Sequence, residues 1–231
     1  MPRTIFDDAY YQRFYNEDPV HTAQKVAQLA TAVDSLCAWW DIPVHSVLDI
    51  GAGPGMWRDW YHAQRPHVKV QSIDISEHAC STFGHELLDI TAWHPKKSVD
   101  LVICHSVLQY LSNASVSAAI KNISLACHGV LYIEVPTTSD LEHVVDQKAT
   151  DLEIHHRTGA WYRKLLSANF QQIGAGLWLS RRARVPLYEL EHASKSGLTE
   201  SALLCQRFGA LADLAWPVLR HQVHKQLAQL G

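Results

Sequence analysis

Val47-Leu48-Asp49-Ile50-Gly51-Ala52-Gly53-Pro54-Gly55 is a short apolar run that enters a turn holding three closely spaced glycines. Residues 46–50 are apolar apart from Ser46 and Asp49, which suits a parallel strand covered on both faces. Glycines at 51, 53 and 55 allow positive φ and leave no Cβ between the backbone and a ligand. Pro54 lacks a donor and has a fixed φ, so it belongs in the turn or at the first helical position. A backbone this accessible at the end of a buried strand suits a ligand with an adenosine part.

A dinucleotide fingerprint, Gly-x-Gly-x-x-Gly, would let helix amides hold a pyrophosphate. Here the third glycine comes one residue early and Trp57 stands just beyond it. Asp49 also places a carboxylate near the strand's end, which suits an ammonium better than a pyrophosphate. The stretch resembles the first motif of the class I S-adenosylmethionine-dependent methyltransferases, of the small-molecule type. The resemblance implies that Asp49 approaches the methionine end of the cofactor while Gly51, Ala52, Gly53 and Gly55 pack under its nucleoside. The bland alternative is a glycine turn that only joins strand to helix.

The pattern around this stretch alternates. Residues 7–18 are an aromatic segment, and 21–40 carry helical apolar spacing. After the strand at 46–50, a helix is expected over about 55–64, a strand over 68–74 and a turn or short strand over 86–90. A strand over 99–104, a helix over 114–127 and a strand over 129–135 follow, the last stopped by Pro136. The polar stretch 137–156 reads as a loop, a short helix or a lid, and 158–169 as a helix. Strands over 170–179 and 185–191, paired through residues 180–184, close the pattern. Residues 199–230 read as one or two helices interrupted near Trp216-Pro217.

Alternating strands and helices argue an α/β fold, and with the resemblance a Rossmann-like, doubly wound, mostly parallel seven-stranded sheet. The last strand should be antiparallel, with helices on both faces. One domain is expected over 1–231, with an N-terminal helical cap (1–40), a core (45–191) and a C-terminal helical extension (197–231).

Ligands of such sheets lie across the carboxyl ends of the strands. Asp74, about 20 residues past the glycine turn, sits where a carboxylate accepts both ribose hydroxyls, with Ile75 beside it. The other reading of Asp74 is a surface aspartate that ends a strand. Leu88-Asp89-Ile90 resembles the family's third motif, which implies that Asp89 accepts from the adenine amino group between apolar neighbours. Asp89 could equally cap the turn at Thr91-Ala92.

The segment Val99 to Leu111 resembles the fourth motif, an Asp-Leu-Val strand followed by a turn and the start of a helix. That implies Cys104 and His105 beside the methionine part and the sulfonium. His105 is the candidate base if the acceptor must lose a proton, or else a packing and anchoring residue. Tyr11 and Arg13 are candidates for the methionine carboxylate, and Tyr15, His143, His156 and Trp161 for the acceptor wall.

Glu134, Asp140, Glu142, His143, Asp146, Asp151, Glu153, His155 and His156 include metal-ligand types. They form no metal signature, so a solvated lid is the cheaper reading and no metal is expected.

At 231 residues the chain can bury about 70% of its unfolded surface. No run of apolar residues is long enough for a membrane span, and Met1 to Asp8 carries no secretory signal. Cysteines at 37, 80, 104, 127 and 205 are odd in number and widely spaced, which suits a reducing cytoplasm. A net charge of −3 with one short basic run, Arg181 to Arg184, disfavours nucleic acid as a partner. The expected activity is therefore methyl transfer from S-adenosylmethionine to a small-molecule acceptor, leaving S-adenosylhomocysteine. The alternatives are an RNA methyltransferase, a nicotinamide oxidoreductase, or a non-catalytic protein that binds cofactor or partners. Ala118, Ile123, Leu203, Leu211, Leu214 and Val218 are as readily core as interface, which leaves a homodimer open.

Overall fold

The computed structural model describes residues 6–17, 19–191 and 193. The expected helices over 199–230, with their break near Trp216-Pro217, lie outside the described residues. So does most of the C-terminal extension in the one-domain expectation.

Helix α1 (Asp8–Tyr11) runs into one π-helical turn (Gln12–Glu17), and α2 (Ala23–Trp39) follows. The remaining elements are β1 (Ser46–Ile50), α3 (Met56–Gln64), β2 (Lys69–Asp74), α4 (Glu77–Phe83), β3 (Glu86–Leu87), β4 (Val99–His105), α5 (Asn113–Ala126) and β5 (Cys127–Glu134). The chain continues through α6 (Thr138–His143), α7 (Gly159–Leu166), β6 (Phe170–Gly174) and β7 (Leu177–Ser180). Local chemistry sets the helix starts. Thr22, Ser76, Ser112 and Thr158 each accept a backbone N–H of the first turn, and Thr137 with Asp140 forms a reciprocal capping box.

The strands form one seven-stranded sheet in the order β3-β2-β1-β4-β5-β7-β6. β1 to β5 pair in parallel, and β7 runs antiparallel to both β5 and β6. The chain builds outward from β1 to β3 and then returns to β4 on the other side of β1. The gap between the carboxyl ends of β1 and β4 is therefore the topological switch point.

Side-chain alternation splits the core. Leu48, Val102, Cys104, Leu131 and Ile133 pack on one face with Ile120 and Ile123 of α5 and Leu166 of α7. Val47, Leu101, Ile103, Val130 and Tyr132 pack on the other with Ala30 and Val33 of α2 and Trp57 and Tyr61 of α3. Sequence parity then puts Asp49, His105 and Glu134 on this second face.

One boundary differs from the expectation. The strand expected over 170–179 is two strands, and no strand forms over 185–191, where residues 189–191 make a single 3-10 turn. The hairpin turn lies at Gly174-Ala175-Gly176, with φ values of 142°, 50° and 79°. Positive φ at consecutive residues reverses the chain tightly, and the two glycines flanking Ala175 were the signal for it.

Candidate functional site

All three glycines after β1 have positive φ, at 64°, 56° and 84° for Gly51, Gly53 and Gly55. A Cβ on Gly51 would run into the side chain of Val107, so the close approach of the β1 and β4 turns also requires glycine there. Gly53 is gripped from both sides. Its N–H donates to Asp74 Oδ2 across 2.9 Å, and its carbonyl lies 2.9 Å from Nε2 of His85. A carbonyl only accepts, so His85 carries its proton on Nε2, and its Nδ1 lies 2.9 Å from Ser72 Oγ. Burial pushes the His85 pKa down and keeps the ring neutral. Asp74 Oδ1 meanwhile accepts from the Ser76 N–H at 2.8 Å.

Asp49, 2% exposed, has an Oδ2 that is buried without a hydrogen-bond partner among the described residues. Burial first, and then the nearby charge of Asp74, pushes its carboxyl up to about 7. It borders a small cavity of about 40 Å³ with Gly51, Trp57, His105, Ser106, His21 and Tyr15.

The ends of β4 and β5 complete this face. His105 and Glu134 are partners in the parallel ladder, so their side chains emerge side by side. His105 Nε2 lies 3.2 Å from Glu134 Oε2, and His21 Nε2 lies 3.3 Å from Glu134 Oε1. The Ser106 and Tyr132 hydroxyls donate to the two Glu134 oxygens, each at 3.3 Å. Burial opposes the charge on Glu134, but its contacts with His105 and His21 outweigh it and hold the carboxyl well below the usual range. Ser106 itself is left-handed, at φ 57°, a strained conformation for a residue with a Cβ and one that clusters at functional sites.

The His105 tautomer is set from behind. The indole N–H of Trp57 donates to His105 Nδ1 across 3.1 Å. An indole nitrogen can only donate, so Nδ1 holds the lone pair and Nε2 carries the proton, 3.2 Å from Glu134 Oε2 but outside hydrogen-bond geometry. His21, His105 and Glu134 converge closely enough to suggest a metal site. A ligating histidine, however, donates from its second nitrogen, and in His105 that nitrogen accepts. The donor set therefore fits a hydrogen-bonded network better than a metal.

A second cavity of about 470 Å³ adjoins the first, and Tyr15, His21 and Ser106 border both. Its wall includes Tyr10, Tyr110, Val135, Val144, Val145 and Ala149, so the 137–156 stretch does form one side of it.

The sequence-derived candidates divide against this geometry. Asp49, Gly51, Ala52, Gly53, Gly55, Asp74 and His105 gather at the switch point, and Tyr11 and Tyr15 fold over it. The rings of Tyr11 and Tyr15 stack at 5.3 Å, and the Tyr15 hydroxyl would lie 3.3 Å from a Cβ on Gly53. Asp89 Oδ1 accepts from the Thr91 N–H at 2.7 Å, so it caps its own turn and keeps Oδ2 for another donor.

Other candidates are displaced. Arg13 is exposed with its guanidinium 4.8 Å over the Phe14 ring, facing an outer cavity rather than the glycine turn. Cys104 points away from the site because strand alternation turns it into the opposite core face, where burial pushes its thiol up to about 12. Ile90 is likewise a core residue, Leu88 packs against that core, and Ile75 is exposed beside Asp74. His143 and His156 are exposed and border neither cavity. Trp161 instead packs 5.0 Å from the buried guanidinium of Arg157, which ties the α7 turn to the loop after β4.

Sequence reasoning missed His21, Trp57, Glu134 and His85 as site residues. Only Glu134, ending an apolar strand just before Pro136, carried a local signal.

A profile of the methyltransferase-domain family matches residues 15–184. The chain belongs to that family. Trans-aconitate 2-methyltransferase of Yersinia pseudotuberculosis serotype O:1b (strain IP 31758) is 26% identical to this methyltransferase-domain protein over 135 residues, 53% of this chain and 52% of that protein. The chain thus spans about half the length of the curated relative it matches. Magnesium protoporphyrin IX methyltransferase of Synechocystis PCC 6803, solved with bound S-adenosylhomocysteine, superposes with a TM-score of 0.51 at 20% identity, covering 78% of this chain and 97% of that one. The N-methyltransferase NodS of Bradyrhizobium japonicum WM9, also solved with S-adenosylhomocysteine, gives 0.53 at 14% identity, covering 76% and 98%. These likenesses establish a shared Rossmann-like methyltransferase fold. Among the described residues no helix is long and apolar enough to cross a membrane.

Proposed function

We propose that this protein transfers a methyl group from S-adenosylmethionine to a small-molecule acceptor. The observation that carries the reading is Asp49 Oδ2, a buried carboxylate oxygen without a partner at the switch point of the sheet. A buried polar atom left unpaired is costly, and a ligand ammonium would satisfy it. When bound, the cofactor supplies an electrophilic methyl on its sulfonium.

The chain's own residues do the rest. Asp49 pairs with the cofactor ammonium, and Asp74 takes the ribose hydroxyls with the lone pairs its two amide bonds leave over. Gly51 to Gly55 let the backbone approach, and Asp89 Oδ2 is left for the adenine amino group. The cavity beside Asp49 is far smaller than a nucleoside, because Tyr15, with Tyr11 stacked on it, closes over the cleft. Cofactor entry therefore moves the Asp8–Glu17 segment outward, after which its tyrosines close over the ligand. His105 has its lone pair committed to Trp57, so it is not available to take a proton.

The second cavity supports a small acceptor, since its volume of about 470 Å³ lies within the range of small-molecule sites. A net charge of −3 argues against nucleic acid. Cys37, Cys80, Cys104 and Cys127 are all free thiols, which suits a reducing cytoplasm.

Calorimetric titration tests the reading. S-adenosylhomocysteine should bind and NAD should not, and replacing Asp49 by asparagine should weaken that binding at least about tenfold, as expected for losing a charge-assisted bond. A folded protein that fails to bind S-adenosylhomocysteine would overturn it.

A further inference from the structure

The cavity of about 470 Å³ has an unusual polarity. Glu134, Asp140, Asp146 and Asp151 border it, and among the described residues its wall contains no lysine or arginine. Two further polar atoms in that wall are buried without partners, Gln109 Oε1 and Thr150 Oγ1. Gln109 is 4% exposed, so its orphaned carbonyl oxygen cannot turn to bulk water. Such an oxygen needs a donor from whatever fills the cavity, and a ligand N–H can supply it. Asp140, Asp146 and Asp151 each spend one oxygen on a neighbouring backbone amide, at 2.8, 2.9 and 2.9 Å. A carboxylate acceptor would enter this space against four negative charges and find no cation. A donor-bearing cation would find both hydrogen-bond acceptors and charge.

His21 stands where that cavity meets the one beside Asp49. Its Nε2 lies 3.3 Å from Glu134 Oε1, and the negative carboxylate beside it favours the tautomer with the proton on Nε2. In the neutral ring the lone pair is then on Nδ1, for which the described residues supply no hydrogen-bond partner. Glu134 is in turn fixed by hydrogen bonds from Tyr132 and Ser106. An imidazole oriented by a carboxylate, with its other nitrogen open, is the arrangement of a general base and its orienting group.

We infer that the acceptor is an amine on an apolar body, and that His21, oriented by Glu134, removes its proton. This rests on the proposed methyl transfer. The ammonium enters between the carboxylates and Gln109 and gives one proton to His21 Nδ1. The freed nitrogen lone pair forms a bond to the methyl carbon while the carbon–sulfur bond breaks and its electron pair stays on sulfur. The products are the methylated ammonium, the thioether and one proton, which leaves from His21 to solvent.

The test uses the full chain loaded with S-adenosylhomocysteine and three matched probes: phenethylamine, 2-phenylethanol and 3-phenylpropionate. Phenethylamine should bind at least about tenfold more tightly than the other two, and Gln109→Leu should reduce that preference. Equal or tighter binding of the alcohol or the acid would overturn the inference. So would no phenethylamine binding by protein that does bind S-adenosylhomocysteine. Failure to bind S-adenosylhomocysteine at all would instead strike the cofactor reading.

With S-adenosylmethionine, the parent protein should methylate phenethylamine, and binding without transfer would overturn the amine assignment. His21→Gln keeps a donor for Glu134 but offers no base. Its kcat should fall about 100-fold with KM and S-adenosylhomocysteine affinity little changed. His21→Ala should do the same, and an unchanged kcat in either variant would remove His21 as the base.

Discussion

The indole N–H of Trp57 donates to Nδ1 of His105 across 3.1 Å, and this bond decides which nitrogen of His105 bears the proton. Trp57 comes from α3 and His105 from the end of β4, and their rings meet edge to face at 6.2 Å between centroids. The bond removes His105 as a candidate base and leaves its Nε2 in polar contact with Glu134 at 3.2 Å.

Trp57→Phe tests that assignment. Nitrogen-15 spectra of the parent should show His105 protonated at Nε2 alone, while the variant should populate both tautomers. Its stability should fall by about 1 kcal/mol, the usual net worth of one hydrogen bond. A protonated Nδ1 in the parent protein would refute the assignment.

Asp49→Asn should separate stability from binding. The Asp49 carboxyl is pushed up to about 7 by burial and by the charge of Asp74, well above its ordinary value. The folded state therefore holds this proton more tightly than the unfolded chain. Asp49 costs nothing below about pH 4, costs progressively more as pH rises towards 7, and costs most above it. The asparagine variant should be more stable than the parent at pH 8, by about 1–3 kcal/mol for removing an unpaired buried charge. At pH 4 the two should unfold alike in thermal melts. The parent's cofactor affinity should weaken as pH falls below about 7, and calorimetry at pH 6 in buffers of different ionisation enthalpy should detect proton release on binding.

Asp74→Ala should weaken S-adenosylhomocysteine binding at least about tenfold, because it removes a charged acceptor from the cleft. It also leaves the amides of Gly53 and Ser76 without their partner, so thermal stability should drop as well. Unchanged affinity in a titration would refute the ribose role.

Tyr15→Ala should open the cleft. Tyr15 lies over Gly53 and its ring stacks on Tyr11, so the parent must displace both before a cofactor enters. Stopped-flow fluorescence should show association of S-adenosylhomocysteine several-fold faster in the variant. Association at the parent's rate would show that the segment does not gate the cleft.

Much of the scaffold was legible in the chain. The apolar run ending in Gly51, Gly53 and Gly55 marked β1 and its turn, because a buried parallel strand and a positive-φ turn each need particular residue types nearby in sequence. Asp49 and Asp74 could be placed for the same reason, being tied to that turn by short spacing. The hairpin was misplaced because a strand of about ten residues and two short strands around Gly174-Ala175-Gly176 have nearly the same apolar content.

The sequence by itself determined the alternation of strands and helices, the glycine turn and the two carboxylates beside it, all consequences of local conformation and spacing. Only the tertiary structure decided the rest of the site. Strand register put His105 beside Glu134, and side-chain parity sent Cys104 to the opposite face of the sheet. The packing of α3 supplied Trp57, and the approach to α2 supplied His21. These groups are far apart in the chain, and no local propensity encodes which of them share one face at the end of a sheet.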